Sequence, residues 1–84
     1  MEKIPLKLLQ QSVKSLVLVK LKNGHEFKGQ LEELDNYMNL VLIKAEKIVE
    51  GEIVAKYPTI FIRGNNILFI KPKVKASYPN PDSS

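Results

Sequence analysis

The chain has no cysteine among its 84 residues, which excludes a disulfide framework, a thiolate metal site and a cysteine nucleophile, and fits a reducing cytoplasm. Histidine occurs once, as His25 beside a turn, and reads as a solvated loop residue rather than half of a metal or acid–base pair. A phosphate-cradling glycine loop is missing too. Glu32 and Glu33 are neighbours on a predicted strand, so they face opposite ways and make no carboxylate pair. These absences predict a protein that is not an enzyme and holds no metal and no cofactor. Nothing approaches the run of about 18 apolar residues that spans a membrane, and the N-terminus lacks the pattern of a cleaved signal. A soluble, cytoplasmic protein is expected. Arginine is nearly absent: of 13 basic residues 12 are lysine, so Arg63, in "YPTIFIRGNN", needs a local reason.

What is present points to one small domain. A chain of this length buries only about 60–65% of its unfolded surface, and oligomerisation is a common remedy. Net charge is +4 and the pI about 9.4, which favours polyanionic partners. Leu6, Leu9, Val13 and Leu16 recur at helical spacing after Pro5, predicting a short amphipathic helix over about 5–12. "KPKVKASYPNPDSS" ends the chain with three prolines, so the reading is a folded domain over 1–75 and a polar tail over 76–84. Between them lie five β-rich runs, 16–22, 25–34, 38–49, 52–63 and 66–72. Asn23-Gly24 predicts a hairpin between the first two, because both residues tolerate positive φ. Gly29, between Phe27 and Leu31, predicts a bend or a close backbone approach within the second strand. The fold class is mainly β: a short N-terminal helix followed by a five-stranded, strongly bent antiparallel sheet forming a small open barrel. Val17, Val19, Leu31, Val41 and Ile62 are its expected core.

The last two strands are apolar on both parities. Ile60 and Ile62 oppose Phe61, while Ile67 and Phe69 oppose Leu68 and Ile70. A strand with one wet face alternates with polar residues, so both faces are expected to be covered. Another copy of the chain, joined edge to edge and closing into a ring, covers them economically. These seven residues are the expected subunit interface; the N-terminal helix lying over the outer face is the other reading.

Two polar clusters break the strands, "LDNYMN" (34–39) and "RGNN" (63–66). Asp35, Asn36, Gly64 and Asn65 are turn formers, but turns explain neither Tyr37 and Asn39 nor Arg63. If the two turns sit side by side, a tyrosine ring and a guanidinium plane sandwich a flat base, and an asparagine amide offers a donor and an acceptor to its edge. Lysine cannot stack as a plane. Asp35 is placed to accept from Asn39 and orient its amide. Arg63 is then one wall of a nucleobase pocket.

"VKLKNGHEFKGQLEELDNYMNLVL" followed by "IFIRGNNILFI" resembles the two-part signature of the Sm and Sm-like (LSm) family, most closely its archaeal members, over about 5–71. The resemblance implies the Sm fold and a ring, a heptamer in the usual case, in which the fourth strand pairs with the neighbour's fifth. It also implies uridine-rich single-stranded RNA at the inner rim, one base per subunit. Tyr37 would stack, Asn39 read the base edge, Arg63 stack or bond from the other side and Asp35 orient Asn39, with Gly64 and Asn65 completing the site. Asn65 stands where many archaeal members carry aspartate. The function implied is a scaffold or chaperone in RNA processing or turnover, with RNA-processing proteins as further partners. Lys71, Lys73 and Lys75 either guide RNA leaving the ring or belong to a solvated tail.

Two alternatives remain in the binding class. A sequence-blind binder of single strands would depend on lysines and little on bases. A protein-interaction barrel of the SH3 type would need an aromatic groove, and Phe27, Tyr37, Tyr57, Phe61, Phe69 and Tyr78 are scattered.

Overall fold

The computed structural model describes residues 6–74; Pro5, Lys75 and the tail 76–84 lie outside them. A helix α1, Leu6–Gln10, precedes five strands: β1 Leu16–Leu21, β2 Glu26–Leu34, β3 Leu40–Val49, β4 Glu52–Ile62 and β5 Ile67–Lys71. All neighbouring strands are antiparallel, in the order β4-β3-β2-β1-β5. The chain's last two strands are therefore the two free edges of the sheet, because β5 crosses back to β1 instead of pairing with β4.

Alternation decides the inner face. Val17 and Val19 of β1, Gly29 and Leu31 of β2, and Leu40 and Leu42 of β3 are buried together with Ile62 and Ile70. Helix α1 closes the core with Leu9, while Val13 packs against it from the following turn. Val41, expected in the core, is only half-buried; it falls between Leu40 and Leu42 and so points to the opposite face.

The bend is a crease across three strands. A Cβ on Gly29 would lie 3.0 Å from the Ile43 carbonyl oxygen and 3.1 Å from the Ala45 Cα, so glycine permits the predicted close approach. Opposite it, Lys44 takes a left-handed φ of 51° and the β2–β3 register shifts. Core-facing parity changes there in β3, from Leu42 to Ala45, and in β4, from the partly buried Ile60 to Tyr57, where Pro58 marks the turn-over. Proline on an edge strand or at an irregularity costs little. Tyr57 then meets Phe27 across the fold, ring centroids 6.3 Å apart.

Turn chemistry corrects one expectation. The β1–β2 hairpin forms, but only Gly24 has positive φ, 95°. The Gly24 N–H donates to the Leu21 carbonyl at 2.9 Å and the Leu21 N–H to the His25 carbonyl at 2.8 Å, giving a three-residue loop with glycine in the left-handed position. A two-residue turn with both central residues at positive φ occurs at the β3–β4 hairpin, at Glu50 (51°) and Gly51 (82°). The strands also end earlier than read from the sequence. Met38 and Asn39 precede β3, and Arg63 follows β4, which leaves these residues to the turns.

Candidate nucleic-acid interface

Asp35 organises the first turn. Its Oδ1 accepts the backbone N–H of Tyr37 at 2.8 Å and of Asn39 at 3.0 Å, and its Oδ2 accepts from the Asn39 amide nitrogen at 3.0 Å. Desolvation in the turn pushes the Asp35 carboxyl up, but the Asn39 amide and the two backbone donors outweigh it and hold its pKa below the usual carboxylate value. Hydrogen bonds to the ionised form favour that form. Met38 completes the turn at a left-handed φ of 69°, with its side chain against the core.

The second turn, a single 3-10 turn over Gly64–Asn66, lies directly against the first. The Gly64 N–H donates to Asn39 Oδ1 at 2.8 Å. A Cβ on Gly64 would lie 2.0 Å from the Tyr37 carbonyl oxygen and 2.9 Å from the Met38 carbonyl carbon. No real Cβ tolerates such contacts, so glycine is required by packing and not by conformation.

The Asn39 amide is therefore fixed at both ends, donating to Asp35 and accepting from Gly64. One N–H and one lone pair remain to meet a ligand. Tyr37 lies two residues before Asn39, and Arg63 immediately precedes Gly64. Tyr37 is 83% exposed, and the Arg63 side chain is exposed with no hydrogen-bond or ion-pair partner among the described residues. Asn65 is exposed beside them. Asp35, Tyr37, Asn39, Arg63, Gly64 and Asn65 are thus brought together. Within one chain Tyr37, Arg63 and Asn65 are open to solvent. Arg63 also lines a concavity along the β4 edge, with Phe27, Tyr57, Ile60, Phe61 and Asn66.

A third loop joins the site. The Lys22 N–H donates to the Asn66 carbonyl at 2.9 Å, so the exposed Lys22 stands beside the 3-10 turn. In the sequence Lys22 is one of several charges around the first hairpin, with Lys20, His25 and Lys28, and its only signal is the turn it belongs to.

The expected interface residues divide. Ile62 and Ile70 are in the protomer's own core. Ile67 joins Ile70 on that side because the register slips at Lys20/Leu21 and leaves Leu68 unpaired. Phe61 (62%) and Leu68 (37%) stay exposed, one on each free edge, with Ile60 and Phe69 half-buried.

The LSM domain model matches residues 7–72. The chain is 48% identical over 68 residues to a snRNP Sm-like protein of Archaeoglobus fulgidus, covering 81% of this chain and 88% of that one. It superposes on the Sm protein of Pyrococcus abyssii in complex with a uridine heptamer with a TM-score of 0.79, 46% identity, and 83% and 99% of the two chains covered. A heptameric archaeal Sm protein gives 0.73 at 44% identity, covering 79% of this chain and 96% of that one.

Proposed function

The chain belongs to the LSM domain family, and from that premise we propose that it closes edge to edge into a ring, a heptamer, which holds uridine-rich single-stranded RNA at its inner rim. The Asp35–Asn39–Gly64 hydrogen-bond relay carries this reading. It locks two turns together and presents one amide edge of fixed polarity close to the exposed Tyr37 ring and the exposed Arg63 guanidinium. That set suits a planar base with its own donor and acceptor. Two open sheet edges, each with an exposed apolar side chain, support closure by strand addition, which removes edges altogether. In the ring the open site gains walls from adjacent copies, and weak sites reinforce one another through effective concentration. The role is a scaffold or chaperone in RNA processing or turnover, with RNA-processing proteins as further partners, rather than a catalyst.

Fluorescence anisotropy of labelled oligo-uridine against oligo-adenine and oligo-cytosine of equal length, at one fixed salt concentration, tests it. A clear uridine preference is expected. Equal binding of all three leaves only the lysine field, and no binding points to a protein scaffold.

A further inference from the structure

Strand register assembles a row of charges that the linear sequence disperses. Lys56 of β4 stands opposite Glu46 of β3, Glu46 opposite Lys28 of β2, Lys28 opposite Leu18 of β1, and Leu18 opposite Lys71 of β5. Val17, Val19, Gly29 and Ala45 are buried on the inner face, so this row lies on the outer face and crosses the whole sheet, about 19 Å at roughly 4.8 Å per strand. Lys44, exposed at the crease by its left-handed backbone, joins the β4 end, where Lys44, Glu46, Lys56 and Pro58 line a shallow depression. Four lysines against one glutamate leave a net +3 there, of the chain's +4. Elsewhere on this face Lys20 pairs with Glu26 at 3.8 Å and Glu32 with Lys14; within the row Lys28 and Glu46 have partners of their own, so Lys44, Lys56 and Lys71, all exposed, are the lysines it offers to a ligand.

We propose that this transverse row is a second RNA-contacting surface, which takes the phosphodiester backbone of the single strand whose bases sit at the inner site. The proposal rests on the RNA-binding reading above and adds a sequence-blind contact to it. Charge complementarity identifies the occupant: lysine is a flexible point charge suited to phosphates, and the one aromatic lining the depression, Tyr57, already has its ring against Phe27. Because β4 and β5 are the free edges, a ring closed through them brings the Lys71 end and the Lys56 end of successive rows to the same seams. The rows then form a belt that long RNA follows and a short oligonucleotide never reaches.

The test compares a triple variant, Lys44→Gln, Lys56→Gln and Lys71→Gln, with a control that removes equal charge elsewhere, Lys7→Gln, Lys14→Gln and Lys47→Gln. Each is titrated with a short oligo-uridine and with a long single strand carrying a central uridine tract, from low to moderate salt. At about 0.7 per neutralised phosphate, losing three contacts lowers the log-log salt slope by about 2, so about 20-fold of the affinity change between 50 and 200 mM disappears. This is expected for the long strand and the row variant only, with oligo-uridine binding and ring size unchanged. An unchanged slope with the long strand overturns the proposal, as does an equal drop in the control. Arg63→Ala with intact oligo-uridine binding would instead defeat the base site, while the long-strand slopes still report on the row.

Discussion

The Asn39 side-chain oxygen accepts the Gly64 N–H at 2.8 Å across 25 residues of sequence, and this bond defines where the two signature turns meet. Replacing Asn39 by alanine strands that part-buried donor, which costs about 1–3 kcal/mol. Asn39→Ala is expected to lower the midpoint of chemical unfolding without changing its slope, and to weaken oligo-uridine binding at least tenfold in a titration.

Gly64→Ala is expected to be worse for binding than for folding. The added Cβ meets the Tyr37 carbonyl and Met38 backbone, so the turns must separate; overpacking of this kind costs about 1–3 kcal/mol. Calorimetry should show a lower but cooperative melting transition, with oligo-uridine binding lost under conditions where the variant is folded.

The Arg63 side chain has no hydrogen-bond or ion-pair partner among the described residues, so Arg63→Ala and Arg63→Lys should both leave the melting temperature unchanged. Both should weaken oligo-uridine by a similar amount, on the order of the 1–3 kcal/mol per base that stacking supplies. A lysine variant of normal affinity would show that Arg63 acts only as a charge.

Acid should dismantle the site from Asp35. Its folded pKa lies below the ordinary value of a free aspartate, so the unfolded chain binds the proton more readily and stability rises with pH between the two values. The contribution is complete above the unfolded value and is lost as pH falls through the folded one. Oligo-uridine binding should therefore be insensitive to this group from about pH 5 to 8 and fall below about pH 4, whereas Asp35→Asn should bind weakly across the whole range. Anisotropy titrations over pH distinguish the two.

Gly29 at the crease is tight against β3. Gly29→Ala pushes on backbone atoms of Ile43 and Ala45, which have no rotamer to change, and should destabilise by about 1–3 kcal/mol in denaturant titration.

Local chemistry made much of this molecule legible in the sequence. Five β-rich runs, the hairpin at Asn23-Gly24, the bend at Gly29 and the pairing of Asp35 with Asn39 all depend on residues close along the chain, where steric limits and side-chain reach decide. Strand ends were less legible: Met38, Asn39 and Arg63 look like strand residues by pattern, but Asp35 captures the backbone of the first turn and the 3-10 turn begins immediately after Arg63. Val41 was misplaced because parity within a strand does not say which face is inside, and Ile67 comes to share a side with Ile70 because the β1–β5 register slips at Leu21; Ile62 is in the core as read from the sequence.

The sequence by itself determined which residue types are available for the site, one arginine, one acid-anchored asparagine and one tyrosine, because composition and short-range turn chemistry need no partner. Tertiary structure alone decided that Gly64 lies on Tyr37 and Met38, that Lys22 joins them, that β4 and β5 become the two open edges, and that Lys56, Lys28 and Lys71 fall in one row. Those are consequences of strand order and register, which arise from contacts between residues far apart in the chain.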